Sequence, residues 1–440
     1  MRYLLNLLSL ITALNAYGGE TKDGHYHSHN DTTITTLAPF DPGPEPREAI
    51  RPIPGELSFF QLPLTGFALG EAGVIVGPDG TIALLDLGNF THDDIVRDFV
   101  RDLNTNELTP ARGYSRQRGE LEVDWIIITH FHADHSGAYS RLMNSSRQSE
   151  NLNVTKGVVH RGFTDLGSGI TESNFLAVCN SLRGRHASLN YPACTSDLQA
   201  PCDVDSARQI YPATRCDGLF IGDLENPNDN NAGLPSKIEL GEGAKITLIA
   251  SSNHVSNGGR AIKGQSFGVD DNGYENARSL VGLITFGGFH YHFGGDLTGS
   301  GRRGDPDVET HLVNVAGPTF WGPLGVDVTH LHHHARNTSS NDTFVDAVAP
   351  NDGRSRNAVA GISRGHFGSP QRRTVRRWLD DDRLGEGRMW ATQRSGSSRH
   401  SRLTTANGLV IVQTIQKGRG YWVQAAGNSI TSQAYQSLRD

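Results

Sequence analysis

The chain of 440 residues is long enough to bury a large core and to form more than one domain. Its hydrophobic (36%), aromatic (8%) and charged (20%) fractions are those of a soluble globular protein, and 51 glycines argue for a loop-rich α/β protein rather than a helical bundle. A net charge of −7 argues against a general nucleic-acid binder, because phosphate backbones attract basic faces; nucleic acid is a possible but disfavoured partner.

Residues 1–18 open with Arg2, continue through a mostly apolar run from Leu4 to Leu14, and end in small residues at Ala16 and Gly18. That order predicts a cleaved secretory signal peptide and a secreted, extracellular mature protein. The apolar run is too short to cross a membrane comfortably, and no later stretch approaches spanning length, so no membrane span is expected after cleavage. Residues 19–55 are polar and proline-rich and read as a tail. Its alternating His25, His27 and His29 form a tract that could bind metal or could be a plain solvated segment.

The folded part is expected over residues 56–440. Residues 58–88 contain short β-branched and aromatic runs broken by glycines and Pro78-Asp79-Gly80, the pattern of a strand meander. An amphipathic helix follows, with Thr91 at a cap position and Ile95, Val96, Phe99, Val100 and Leu103 along one face. Val123 to Thr129 then reads as a buried strand, and strand, helix, strand in this order indicates an α/β sandwich. Residues 160–235 lose this regularity and hold all four cysteines (Cys179, Cys194, Cys202, Cys216). They predict an insertion stapled by two disulfides, with the pairing left open. Strand-like runs return at 245–250, 280–286, 289–293, 326–329, 358–362 and 409–415. A helix is expected after Ser369 as cap, with Pro370 at its first position. Sequons at Asn30, Asn89, Asn144, Asn153, Asn337 and Asn341, together with the signal segment, suggest a glycoprotein.

The chemistry is concentrated in His130-Phe131-His132-Ala133-Asp134-His135, on the loop leaving the strand WIIIT. His130 and His132, two residues apart, can face one ion, while Asp134 and His135 turn toward a second. Imidazoles with a carboxylate suit two Zn²⁺ ions or other divalent first-row metals. One loop cannot complete two sites, so ligands must come from distant strand ends. Asp296, after Gly294-Gly295, can approach closely and bridge both ions; His254, after the strand ITLIA, could complete the first. One of His332, His333 and His334 could complete the second.

His130, His132, Asp134 and His135 resemble the HxHxDH signature of the metallo-β-lactamase superfamily. The resemblance implies a metal-dependent hydrolase with a four-layer αβ/βα sandwich. Asp86, in TIALLDLG, matches a strand-end aspartate that supports the metal loop in that family. Four ordered segments resemble one branch more closely, that of the metallo-hydrolase domain of bacterial competence proteins and of secreted phosphorylcholine esterases. They are GEAGVIVGPDGTIALLDLG, ENARSLVGLITFGGFHYHFGGDLTG, HHHARNTSS and ISRGHFGSPQ. The third places the family's histidine pair on His333, taken as a ligand, and His334, taken as catalytic. The chain departs from the branch where Ala335-Arg336 replace Gly-Ser and Ser369 replaces a histidine.

Together these readings predict a secreted binuclear hydrolase acting on a phosphodiester or phosphorylated polymer through a hydroxide that bridges the ions. Asp134 would orient that hydroxide and accept its proton, and His334 would offset charge on substrate oxygens. An ester, lactone or amide hydrolase on the same bimetal site is the alternative, though Arg336 could bind a phosphate. An iron-dependent oxidoreductase and a non-catalytic binding protein on this fold are rival readings. The expected partner is a small-molecule or polymer substrate, framed by loops at 160–235 and 256–277.

Overall fold

The computed structural model describes residues 40–161, 171, 173–178, 237–252, 254–258, 261–264, 272–299, 305–366, 368–394 and 399–439. The predicted signal segment, the histidine tract, all four cysteines and most of the expected insertion at 160–235 lie outside the described residues.

Among the described residues two mixed sheets face each other. The first runs in the order Ile430–Gln436, Gly420–Ala426, Leu409–Ile415, Ser58–Gln61, Ala72–Val76, Ile82–Leu87, Glu122–Ile128 and Asn153–His160. Its last three strands are parallel. In the second, Leu403–Thr405, Met389–Ala391, Asn357–Ala360, Val328–His330 and Phe289–Phe293 form a parallel half. Val281–Phe286, Ala244–Ser251, His254–Ser256 and Ala261–Lys263 extend it antiparallel, and Lys237–Gly241 also pairs with Ala244–Ser251. No helix among the described residues is long and apolar enough to cross a membrane.

Three apolar layers explain why the central strands read as unbroken hydrophobic runs. Between the sheets, Phe59, Ile75, Leu85 and Ile127 pack with Ile246, Ile284, Tyr291, Val328 and Val359. Behind the first sheet, Val74, Leu84, Ile126 and Val158 meet Val96 and Val100 of the helix Asp93–Asp102, and Tyr139 and Leu142 of Tyr139–Met143. Behind the second, Leu283 and Ala358 meet Leu312 of Val308–Ala316, Phe344 of Asp342–Val348 and Trp378 of Arg372–Leu379. A strand covered on both faces has no polar side to show, so Ile82–Leu87 is buried throughout. Helix, sheet, sheet, helix is the resulting order of layers.

Several expectations shift. The first helix begins after His92 rather than Thr91, and Asp93 and Asp94 complement the positive end of its dipole in place of a side-chain cap. The late helix begins at Arg372 behind Gln371, not at Pro370. The Asn341 side chain is taken up as an N-cap, accepting from Phe344 N at 2.7 Å and donating to Gly299 O at 2.9 Å, which removes one sequon from the accessible set. Residues 40–55, read as tail, lie against the first sheet. Ile50 is buried, its N–H donates to Gln424 Oε1 (2.7 Å), and Gln413 Nε2 donates to Arg51 O (2.7 Å).

Relative to a chain starting at Phe40, one starting at Glu56 is expected to lose about 3–6 kcal/mol. One buried isoleucine, the orphaned Gln424 amide and the lost Gln413-to-Arg51 hydrogen bond account for that sum. Urea denaturation measures it, and equal midpoints for the two chains would make the segment a tail after all.

Candidate metal centre

The carboxyl ends of the parallel strands deliver the polar side chains to one rim. Ile82–Leu87 carries Asp86, and Glu122–Ile128 runs into the loop of His130 to His135, where the short helix Ala133–Ser136 turns Asp134 and His135 inward. From the facing sheet, Val328–His330 leads to His332, His333 and His334, and Phe289–Phe293 leads to Asp296. Gly294 and Gly295 permit the close approach: a Cβ on Gly295 would lie 2.5 Å from Thr129 Oγ1, and one on Gly294 2.5 Å from His332 Nε2.

The histidine loop is strained. His333, His334 and Ala335 all have positive φ (51°, 52° and 59°), a conformation that costs a non-glycine residue about 1–3 kcal/mol. Buried Glu309 holds it from below, accepting from His332 Nδ1, Ser340 N and Asn341 N, each at 2.7 Å. His333 N also donates to Gly295 O at 3.1 Å, tying the loop to the Asp296 turn.

Hydrogen bonds settle where the ring protons are. Asp86 Oδ1 accepts from Thr129 N (2.8 Å), and its Oδ2 accepts from Thr129 Oγ1 (2.7 Å) and His135 Nδ1 (2.8 Å). His334 Nδ1 faces Gly361 O at 3.1 Å, an acceptor only, so it too is the protonated nitrogen. Having given its hydrogen to Asp86, Thr129 Oγ1 accepts from His130 Nδ1 at 3.1 Å. The Nε2 atoms of His130, His135 and His334 are therefore the bare ones, and they converge. His135 Nε2 and His334 Nε2 are 3.3 Å apart, and Asp296 Oδ1 lies 3.1 and 3.4 Å from them. Asp134 Oδ2 is 3.4 Å from His334 Nε2. His130 Nε2 faces His132 Nδ1 at 3.1 Å, with Asp296 Oδ2 at 3.9 Å.

Lone pairs and carboxylates this close, at 0–2% exposure for His130, His135, His334 and Asp296, repel one another unless positive charge sits among them. A bare protein must draw that charge from protons. Burial pushes His334 down, yet the carboxylates of Asp296, Asp134 and Glu71 raise it to about 10. Burial opposes the same rise at His135, which Asp296 and Asp86 nonetheless hold well above the usual imidazole range. Asp296 moves the opposite way: burial raises it, but His334, His135 and His333 hold it well below the usual carboxylate range.

The donor atoms of His130, His132 and Asp296 thus form one grouping, and those of His135 and His334 with Asp296 and Glu71 another. Of the histidine pair, it is His334 that lies buried beside Asp134 with its donor atom in the second grouping, while His333 stays nearer solvent with Nε2 3.6 Å from Asp296 Oδ2. Adjacent residues on a left-handed turn point apart, and spacing alone could not say which points inward. His254 joins neither grouping: it opens the hairpin strand His254–Ser256, and its Nδ1 sits 3.0 Å from Ser252 O. His332 turns away toward His292 (3.1 Å) and Glu309.

Two residues beside the site had escaped notice. Glu71 is buried against His334 and His330, at 2.8 and 3.0 Å. His366, in the segment where Ser369 had been taken to replace a family histidine, stacks on His334 with ring centroids 3.6 Å apart, its Nε2 3.7 Å from Asp134 Oδ2. Its Nδ1 accepts from Ser363 N at 3.0 Å, so the proton is on Nε2. That nitrogen is a donor to Asp134 or substrate and not a metal ligand, although His366, Asp134 and His334 cluster closely enough to bind one. Glu71 could have been noticed as a carboxylate at the head of an apolar strand, and His366 by its place within the resembling segment.

Residues 66–160 match the metallo-beta-lactamase superfamily. That stretch contains Glu71, Asp86 and the whole loop from His130 to His135. No curated protein matches the chain. Among solved structures it is similar to a diphosphatase from the PhnP family, at 12% identity over 81% of this chain and 97% of that one, with a TM-score of 0.32. For unliganded yeast PDE1 the figures are 9%, 76%, 98% and 0.35. For Tm1679, a metal-dependent hydrolase of the beta-lactamase superfamily, they are 12%, 76%, 95% and 0.31. At such scores these likenesses carry no weight for the reaction.

A buried ion pair braces the loop from His130 to His135. Glu275 Oε1 accepts from Phe131 N and Arg161 Nε, both at 2.8 Å, and Oε2 from Arg161 at 2.6 Å. Burial raises the Glu275 carboxyl, but Arg161, His132 and the Phe131 N–H hold it below its ordinary 4.5. The stability this gives is present above pH 4.5 and fades as pH falls through the lower folded value. Glu275→Gln removes the carboxylate that accepts from Arg161 Nε and Nη2 in a buried setting and is expected to cost about 3–5 kcal/mol at neutral pH. Chemical denaturation checks it; a variant within 1 kcal/mol of the parent, on the order of one neutral hydrogen bond, would contradict the brace.

Proposed function

We propose that the protein is a binuclear metal-dependent hydrolase of phosphoesters, secreted in its mature form. The observation that carries the reading is the meeting of the bare ring nitrogens of His135 and His334, 3.3 Å apart, beside Asp296. Their outward nitrogens are committed to Asp86 and Gly361, so neither ring can turn to relieve the contact. The donor set fits first-row divalent metals, zinc foremost. His130 and His132 with Asp296 would hold one ion; His135, His334 and Asp134 with Asp296 would hold the other. Two such ions supply Lewis acidity and a water acidic enough to lose a proton near neutral pH.

The surrounding residues have definable tasks. Burial pushes Asp134 up, but the neighbouring rings of His334 and His366 hold it well below the usual range, so Oδ2 would stand ionised to accept the proton lost by water. His366 presents Nε2–H beside it, positioned to donate to a substrate oxygen. Burial depresses the His366 ring to about 3, which keeps it neutral with Nδ1 on Ser363 N–H. Arg336 favours a phosphoester over a carboxylic ester, lactone or amide. Its Nε is buried without a hydrogen-bond partner in the protein, close enough to His333 to lower that ring's proton affinity. A guanidinium with an unspent donor at the rim suits a phosphoryl oxygen. Secretion is supported by the pattern of residues 1–18.

The test is turnover of bis-nitrophenyl phosphate, nitrophenyl esters and lactones by purified protein of measured metal content. Phosphodiester cleavage should dominate, and His132→Ala and Asp296→Asn should abolish it while lowering bound metal. Full activity in either metal-depleted variant would refute the centre. Arg336→Ala should raise KM for the phosphoester about tenfold, the worth of one charge-assisted hydrogen bond, and leave ester KM unchanged. Preferential ester or lactone turnover by the parent protein would give the reaction to carbonyl chemistry instead.

A further inference from the structure

Glu71 stands at the head of the strand Ala72–Val76, on the first sheet, yet its contacts reach into both halves of the centre. Its N–H donates to Asp134 O at 2.9 Å, fixing the backbone of the metal loop. Its side chain, 3% exposed at the residue level, crosses to the facing sheet. There Oε2 lies 2.8 Å from His334 Nδ1 and Oε1 3.0 Å from His330 Nε2. The His334 Nδ1 proton is aligned on Gly361 O at 3.1 Å and also lies against the Glu71 carboxylate. Gly361 leaves room for that carboxylate: a Cβ there would fall 2.7 Å from Glu71 Cγ.

We propose that Glu71 is a positioning residue for His334. Its negative charge, 2.8 Å from Nδ1, favours the proton on that nitrogen; this keeps the Nε2 lone pair toward Asp134 and Asp296 and makes the ring a stronger donor to the ion on that side. The reading rests on the proposed metal centre. Glu71 faces the outward nitrogen of His334, whereas Asp134 and Asp296 meet Nε2, so it orients the ligand from behind. Asp86 does the same for His135 across the site. The two imidazoles of the second grouping are thereby braced by opposed carboxylates, whereas His130 leans on the Thr129 hydroxyl. Carboxylate-backed histidines bind metal more firmly than those backed by neutral groups. The inference is accordingly selective: Glu71 governs one ion and not the other.

Chelator competition on full-length metal-free protein, titrated with Zn²⁺, tests this together with the metal-free melting temperature. The parent should take up two ions. Glu71→Gln, which keeps the shape and loses the charge, should retain one ion at parental affinity and bind the other about 10–100-fold more weakly. Its metal-free form should still unfold cooperatively, at a melting temperature lowered by the lost Glu71–His334 charge contact, and Glu71→Asp should recover part of the lost affinity. Two ions bound by Glu71→Gln as tightly as by the parent would overturn the proposal, as would an equal loss at both sites. A Glu71→Gln chain that does not fold would assign the carboxylate to the fold and overturn it as well. A parent chain that takes up no zinc would instead strike down the metal centre itself, and this inference with it.

Discussion

Electrostatic shortage at one point organises the molecule. Three imidazoles turn bare nitrogens toward the carboxylates of Asp296 and Asp134 in a space from which water is largely excluded. Every nearby hydrogen bond acts to keep them there. Asp86 takes the outward proton of His135, Thr129 that of His130, and Gly361 with Glu71 that of His334. Each commitment raises the energy of the bare protein and lowers that of a protein holding cations, because a ligand that is already oriented pays no further entropy on binding.

The two sheets supply the rigidity that such crowding requires. Parallel strands bring their carboxyl ends to one rim, and the strands that lead to the site, such as Ile82–Leu87 and Val328–His330, are buried, so the loops leaving them start from fixed points. Strain gathers where the demand is greatest, at His333, His334 and Ala335, and Glu309 with its three hydrogen bonds offsets it. The Glu275–Arg161 pair does comparable service on the opposite loop.

Much of this was legible in the sequence where signals are local. Phe289–Phe293 and Leu409–Ile415 are found with the bounds their apolar runs suggest, and the loop from His130 to His135 declares itself by composition. Asp86 and Asp296 stand where strand ends and glycines implied. The final hairpin, Gly420–Ala426 with Ile430–Gln436, went unread because its outer strand is largely exposed and polar, leaving little alternation to detect. Parts of the site are decided only by tertiary convergence. Choosing between His333 and His334 depends on a turn of unusual hand, and Glu71 looks like any carboxylate until the other sheet arrives. His254 had the right order in the chain, but it belongs to a hairpin whose own carbonyl occupies its Nδ1.

The contact of His334 with Glu71 and the hydrogen bond that Gly361 O accepts from His334 tie the early strands to the late loop. A ribosome that has released only the first half of the protein has exposed His130 to His135 without Asp296, His334 or the carbonyl of Gly361. In a protein that holds metal as proposed above, the early loop by itself would be a weak and exposed scavenger, open to exchange with whatever ion is abundant. High affinity would arise only when the facing sheet closes, so the identity of the bound metal would be decided at the end of folding, in the compartment where folding ends.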